Sequence, residues 1–477
     1  MIGPVIRSGQ SAERRRRPIV LQSIDPATGK VLADYPTTSR QAAFTTLERA
    51  AAAQSDWRRE SLDDRLGPLR SLADYLRSEA AEGARLMALE MGKPLAQGLA
   101  EMEKCAWACE YYADHAPEFL ADEVIPTDAR RSFVAFRPLG VVLAIMPWNF
   151  PYWQVLRCAA PALSAGNGFV LKHAPNVPGC SEHIARLFAR SGFPDGLFAN
   201  LLVAPADVAD LSAELIAHPA IAAVTLTGSD RAGRAVAAAA GQALKPTVLE
   251  LGGSDPYVVL GDADVALAVE QCAASRLINS GQSCIAAKRF IVHHALAPEF
   301  VDGLVARLAA ARVGPPLEEA TQVGPLARAD LRAELHRQAT ESVAAGARVL
   351  VGGTLPEGSG WYYPPTVLAD VMPGMPAFDE ETFGPLAAVS VAESDEAALG
   401  LANASRYGLG AAVFTRDAAR GEQLAANEID AGSCFVNAFV RSDPRLPFGG
   451  TKQSGYGREL GLLGLRSFVN AKTVYVG

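Results

Sequence analysis

The chain is 477 residues long, more than one hydrophobic core ordinarily organises, so two or three domains are expected. Hydrophobic residues make up 49% and charged residues 20%, which excludes a disordered chain, and the net charge of −8 argues against a nucleic-acid partner. Seven cysteines without a CxxC pair read as reduced thiols of a cytoplasmic protein, not as a zinc site or a disulfide framework.

RRRR (14–17) is followed by too short an apolar stretch for a secretory signal, so residues 1–22 read as a mobile N-terminal extension. Residues 39–122 carry apolar positions at helical spacing, with breaks expected at Gly67-Pro68 and Gly92-Lys93-Pro94. Cys105 and Cys109 lie one helical turn apart with no histidine nearby, which places them in a core. Residues 131–138 alternate like a half-exposed strand, and 468–476 has a similar character. These two could form a separate small sheet whose edge pairs with another subunit. Between them, strands expected at 141–145, 169–171, 222–226 and 247–249 alternate with helices at 151–164, 179–191 and 231–240. A second such stretch starts at Asp255 with a strand at 257–260 and a helix at 265–278, and runs to about 430. The alternation predicts parallel sheets with helices on both faces. No apolar run approaches the roughly 20 residues that span a bilayer, so no membrane partner is expected.

NSGQSC (279–284) sets Cys284 behind a glycine turn, between a helical pattern and the strand-like 289–292. A thiol there has the setting of a nucleophile, although a lone cysteine is often only a core residue. PWNFP (147–151) follows an apolar strand, and its prolines bracket Asn149, which aims a rigid amide at the crevice beyond the strand ends or forms a simple Asx turn. LELGG (249–253) ends another strand with Glu250, a catalytic carboxylate or a solvated terminal charge, before two glycines that permit close approach. EETFGP (380–385) is an acidic pair before a turn. Thiol, amide and carboxylate together suit attack on a carbonyl: the thiolate adds, the amide stabilises an oxyanion, and the carboxylate activates water. No histidine stands in Cys–His spacing, which weakens a protease reading. There is no GxGxxG after a strand; instead TGS (227–229) opens a helix whose N–H groups, with the Ser229 hydroxyl, could hold a pyrophosphate.

PWNFP, LELGG, GQSC (281–284), EETFGP and PFGGTKQSGYGRE (447–459), in that order, resemble the aldehyde dehydrogenase superfamily over 24–476. Within it, LKHAPNV (171–177) and LELGGSDP (249–256) are most similar to bacterial NAD(P)-dependent succinate-semialdehyde dehydrogenases. The resemblance implies an α/β fold with two doubly wound domains, a Rossmann-like cofactor domain (23–125 and 141–251) and a catalytic domain (252–446). A small β oligomerisation arm (126–140 and 463–477) would build a homodimer or homotetramer. It further implies Cys284 as nucleophile, Glu250 as base for deacylation, and an oxyanion hole made by the Asn149 side chain and the Cys284 N–H. NAD or NADP would be held by Trp148, Lys172, Gly228, Ser229, Leu251, Glu381 and Phe383, with no metal. Arg157, Ser442 and Phe448 would bind the substrate, the first two through its carboxylate. The implied reaction oxidises succinate semialdehyde to succinate through a cysteine thiohemiacetal and a thioester.

Several positions depart from that pattern. Many NAD-preferring relatives place a glutamate three residues after the lysine, where this chain has Pro175, so use of both nucleotides is expected. Relatives often add an arginine at the position of Ile278, for which Arg441 or Arg445 could compensate. Ala286 stands where some relatives carry a second cysteine, so a disulfide switch is not available. Glutarate semialdehyde or an uncharged aliphatic aldehyde is the alternative substrate. A thiol esterase and a catalytically silent dinucleotide-binding scaffold are the other classes, the latter opposed by the presence of Cys284 and Glu250.

Overall fold

A computed structural model describes residues 20–477. The expected extension lies outside the described residues as far as residue 19; Val20–Ile24 is already a strand, paired antiparallel with Val31–Pro36. Four helices follow, Arg40–Trp57, Leu62–Ser78, Ala80–Met91 and Leu95–Phe119. Gly92, with φ of 77°, ends the third where a break is expected, but Gly67-Pro68 lies inside the second. Ser61 caps that helix through the Asp64 N–H at 3.2 Å, and burial of Leu66, Leu69 and Leu72 outweighs the one hydrogen bond that proline removes.

The first large sheet has the strand order Gly455–Tyr456, Thr247–Glu250, Ile221–Thr227, Val141–Ile145, Gly168–Lys172, Phe198–Leu201. All neighbours run parallel except Gly455–Tyr456, which returns antiparallel from near the C-terminus. Phe198–Leu201, a short edge strand, has too little alternation to be read from sequence. From Val141–Ile145 the chain winds outward to one side and then returns to the other, which makes a switch point between it and Ile221–Thr227. Ile145 pairs with both Lys172 and Leu226, and Thr227 with Glu250. The PWNFP turn, Lys172, Gly228 and Glu250 therefore emerge along one edge, where ligands enter doubly wound sheets.

The second sheet has seven strands in the order Arg348–Val351, Thr366–Ala369, Leu386–Ala392, Arg289–His293, Pro256–Val259, Gly410–Phe414, Ser433–Val436. Only Arg348–Val351 is antiparallel to its neighbour. A third sheet pairs Val469–Val476 with Arg131–Pro138 along their full length, with Glu123–Val124 on the far side. The separate small sheet expected from sequence is thus present. All seven cysteines are free thiols, Cys105 and Cys109 in the core. Among the described residues no helix is long and apolar enough to cross a membrane, and no group of side chains could hold a metal ion.

One buried carboxylate ties the N-terminal strand to this frame. Glu90, 2% exposed, accepts from the Ser23 hydroxyl at 2.7 Å and from the Gly179 and Cys180 N–H groups, each at 2.8 Å. The last two open the helix Pro178–Arg190, whose N-terminus favours an anion. Replacing Glu90 by Ala strands three donors and is expected to lower stability by about 3 kcal/mol. Glu90→Gln keeps an acceptor oxygen and should lose less; the urea midpoints of the two variants check the order.

Candidate active site

The helix Val265–Leu277 ends in a turn with three successive left-handed residues, Asn279 (φ 52°), Ser280 (φ 56°) and Gly281 (φ 77°). Side chains rarely adopt this conformation, so the turn needs outside support. Gln97 accepts from the Asn279 N–H at 2.6 Å, and Ser280 Oγ accepts from the Gly324 N–H at 2.9 Å. Arg276 donates to the Gly281 carbonyl at 2.6 Å, and Gln282 Oε1 accepts from the Ala327 N–H at 2.9 Å. Beneath the turn, the fully buried Lys288 ammonium donates to the carbonyls of Cys284 at 2.6 Å and Ser283 at 3.1 Å. Cys284 itself is half-buried, and its N–H has no hydrogen-bond partner. Burial pushes the thiol up to about 12, against the pull of Arg157 and Lys288.

Asn149 is locked to the same turn. Its carbonyl accepts from Asn279 Nδ2 at 2.7 Å, and its Nδ2 donates to the Gln282 carbonyl at 3.1 Å, leaving one amide hydrogen free. Glu250 is 1% exposed, neither carboxyl oxygen has a partner, and it sits against Gly449. Burial raises its pKa well above the carboxylate range; the Glu459 charge adds to this, while Arg157 and Arg458 oppose it.

At the sheet edge, Lys172 is 6% exposed and its ammonium makes no hydrogen bond or ion pair; burial lowers its pKa to about 8. Ser229 Oγ caps the helix Asp230–Gln242 by accepting from the Ala232 N–H at 3.3 Å, and the Gly228 N–H donates to the Glu250 carbonyl at 3.0 Å. The Gly228 N–H is thus committed to the sheet, and only the Ser229 hydroxyl proton and later N–H groups remain for a phosphate. Glu381 accepts from the Gly253 N–H through Oε1 at 3.0 Å and leaves Oε2 open. Trp148 and Phe383 meet edge-on with centroids 5.7 Å apart, and Leu251 packs on Gly233. An unpaired ammonium, a helix N-terminus and a carboxylate oxygen without a donor fit a nicotinamide dinucleotide, whose phosphates and ribose hydroxyls complete them.

A pocket of about 280 Å³ reaches Cys284 from the other side, lined by Phe150, Trp153 and Phe448 together with Lys104, Arg157 and Ser442. Arg157 comes from the helix Trp153–Ser164, is 2% exposed, and forms a buried ion pair with Glu459. It also donates to Thr227 Oγ1 at 3.0 Å and stacks on Phe448 at 4.9 Å. Of the two arginines that could compensate for Ile278, Arg441 lines the pocket at its exposed rim, whereas Arg445 pairs with Asp443 at 2.6 Å and does not line it.

Residues 14–474 match the model of the aldehyde dehydrogenase family. The chain belongs to this family. Succinate semialdehyde dehydrogenase [NAD(P)+] of Escherichia coli strain K12 is 48% identical over 453 residues, 95% of this chain and 97% of that relative. A probable succinate-semialdehyde dehydrogenase [NADP(+)] of Synechocystis is 46% identical over 458 residues, 96% of this chain and 100% of that relative. The crystal structure of succinic semialdehyde dehydrogenase from Streptococcus pyogenes with NADP+ superposes with a TM-score of 0.92 at 36% identity, covering 96% of this chain and 99% of that one.

Three charged residues of this aldehyde dehydrogenase escaped the sequence reading. Gln97, Glu101, Lys104 and Ala108 share one face of a helix at three- and four-residue spacing, so a lysine on a buried face was the available signal. Glu459 lies inside a recognised motif, but only the fold brings it to Arg157. Lys288, four residues after Cys284, reads as a strand-end lysine until the turn closes over it. That turn also generates a test. A Cβ at Gly281 would drive into the Gly384 carbonyl, so Gly281→Ala is expected to cost about 2–4 kcal/mol and nearly all activity. Thermal melting and aldehyde oxidation by the purified variant check this.

Proposed function

We propose that this aldehyde dehydrogenase oxidises succinate semialdehyde to succinate with NAD or NADP. The observation that carries the reading is the pocket that runs from Cys284 to a cationic, hydroxyl-bearing wall at Lys104, Arg157 and Ser442. Its small volume suits a short aldehyde, and its charge suits one ending in a carboxylate. The substrate named for the Escherichia coli, Synechocystis and Streptococcus pyogenes relatives supports the same choice. In this reading residues 23–125 and 141–251 form the cofactor domain and 252–446 the catalytic one. The outer strand Val469–Val476 offers its free edge to a second subunit in the cytoplasm.

As the Cys284 thiol attacks, its proton passes to water in the open pocket; a carbon–sulfur bond forms and the carbonyl electron pair moves onto oxygen. The Cys284 N–H and the free Asn149 amide hydrogen receive that oxyanion. A bound nicotinamide supplies a hydride acceptor, which lets the oxyanion collapse to a thioester. Glu250, as carboxylate, then takes a proton from water; the water oxygen bonds to the acyl carbon and the Cys284 sulfur leaves. Lys172 would hold the adenosine ribose, Ser229 the pyrophosphate and Glu381 the nicotinamide ribose, with Trp148, Leu251 and Phe383 packing around them. Pro175 puts no negative charge beside Lys172, so a 2′-phosphate is not repelled.

Absorbance of reduced nicotinamide, with succinate semialdehyde and NAD or NADP in parallel, is the test. Turnover with either nucleotide supports the reading; an inert succinate semialdehyde beside a reactive uncharged aldehyde would reject it. Cys284→Ala should be silent, and Asn149→Ala should lose about 10²–10³ in kcat. Glu250→Gln should give one burst of reduced nucleotide and then stall at the thioester. Because the raised Glu250 pKa means the base form appears only at higher pH, deacylation should accelerate above the ordinary carboxylate range. Multiple-turnover rates from pH 5 to 10, measured after the burst and flat in Glu250→Gln, check the sign.

A further inference from the structure

Beneath the nucleophile's turn lies a cation that does not line the substrate pocket. Lys288 is fully buried, and every hydrogen bond of its ammonium goes to a backbone carbonyl: Cys284 at 2.6 Å, Ser283 at 3.1 Å and Ala286 at 3.4 Å. Three acceptors around one nitrogen call for three N–H bonds, which only the ammonium form has; a neutral amine would turn its lone pair against a carbonyl oxygen. Burial lowers the lysine pKa. The carboxylates of Glu381, 3.8 Å away, and of Asp255 oppose this, while Arg276 adds to it.

The Ser283 carbonyl is one end of the peptide unit whose other end is the Cys284 N–H. That unit is trans, so its C=O and N–H point in opposite directions. The Ala286 N–H also donates to the carbonyl, at 3.2 Å, whereas the Cys284 N–H has no partner. A cation at the carbonyl oxygen draws electron density from the amide nitrogen and makes the N–H at the far end a stronger donor. A charged donor does this about twice as strongly as a neutral one. Because Lys288 also bonds to the Cys284 carbonyl, both peptide units that flank the thiol are held from the same side.

We propose that Lys288 is a positioning residue for the oxyanion hole: from beneath, it fixes and polarises the peptide between Ser283 and Cys284, so that the Cys284 N–H meets the negative oxygen formed when the thiol adds to an aldehyde. The inference rests on the reading of Cys284 as nucleophile and of Asn149 as the other oxyanion donor, and it places a buried charge behind the backbone donor. The same charge acts on the thiol. Burial raises the Cys284 pKa, Arg157 and Lys288 pull against this, and Glu381 and Asp255 add to the rise. The two effects separate in alkylation by iodoacetamide, which needs the thiolate but forms no oxyanion.

The test compares wild type, Lys288→Met, Lys288→Gln and Asn149→Ala in two reactions. One is the burst rate of reduced nucleotide with the faster of succinate semialdehyde and butanal. The other is alkylation by iodoacetamide from pH 6 to 10, followed at Cys284 by peptide mass. Lys288→Met keeps the length of the side chain without its charge. Its burst rate should fall by about tenfold more than its alkylation rate, a fraction of the 10²–10³ that removal of a whole oxyanion donor costs. Lys288→Gln returns a neutral N–H and should show a smaller excess in the same direction. Matching melting temperatures establish that each variant is folded. Equal losses in the two reactions for Lys288→Met would mean that the lysine serves only the turn or the thiolate, and would overturn the proposal. So would an unchanged burst rate, or a Lys288→Gln enzyme equal to wild type in both reactions. Asn149→Ala should show the same excess loss; if it shows none, the oxyanion-hole reading itself fails, whatever the lysine variants do.

Discussion

Holding a left-handed backbone in place at the nucleophile is the constraint on which the rest of this site depends. Two non-glycine residues and Gly281 turn the same way in succession, which costs roughly 1–2 kcal/mol for each side chain so placed. No single element offsets that cost. A glutamine from the long helix, an arginine from the preceding helix, two N–H groups from the 324–327 segment and a lysine from beneath all bond to the turn. Because the supports come from distant parts of the chain, the reactive turn exists only when the whole fold does. Two further bonds from that turn, at Asn279 and Gln282, fix Asn149 relative to Cys284, so nucleophile and oxyanion donor are set by one device.

Buried charge is the second theme. Lys93–Glu101 and Arg157–Glu459 are nearly dry ion pairs, and Lys288 faces carbonyl oxygens with Glu381 at 3.8 Å. Such pairs contribute little net stability, because desolvation consumes most of the attraction. What they provide is fixed direction. Glu101 orients the chain just after PWNFP through two N–H groups, and Glu459 keeps Arg157 against the pocket floor. Glu250, by contrast, is buried without any partner, which leaves it free to exchange a proton. The site separates groups that hold geometry from groups that change charge.

The alternation of strands and helices was legible because parallel strands buried on both faces read as short apolar runs between amphipathic helices. The places of Glu250 and Asn149 in the fold were legible too, since each ends or follows such a run, and that of Cys284 because it stands on a glycine turn between a helix and a strand. The break expected at Pro68 was not there, as a strong cap and a packed face override one missing hydrogen bond. Arg157 was located correctly but its partner was not, because Glu459 lies 302 positions away and nothing local links them. The same holds for Lys104 and Ser442, joined across the pocket from a helix and a late loop. Pairings between distant charges depend on topology, and topology is what pattern reading resolves least.

The antiparallel return of Gly455–Tyr456 against Thr247–Glu250 carries a consequence for the order of assembly. The segment that closes the first sheet beside Glu250, and that delivers Glu459 to Arg157, is synthesised about 200 residues after the strand it covers. Until then the strand ending in Glu250 is an open edge, and Arg157 is a cation without its anion. The piece that completes the chemistry is thus made well after the strands it completes, and a chain that lacks it holds a thiol but no finished site around it.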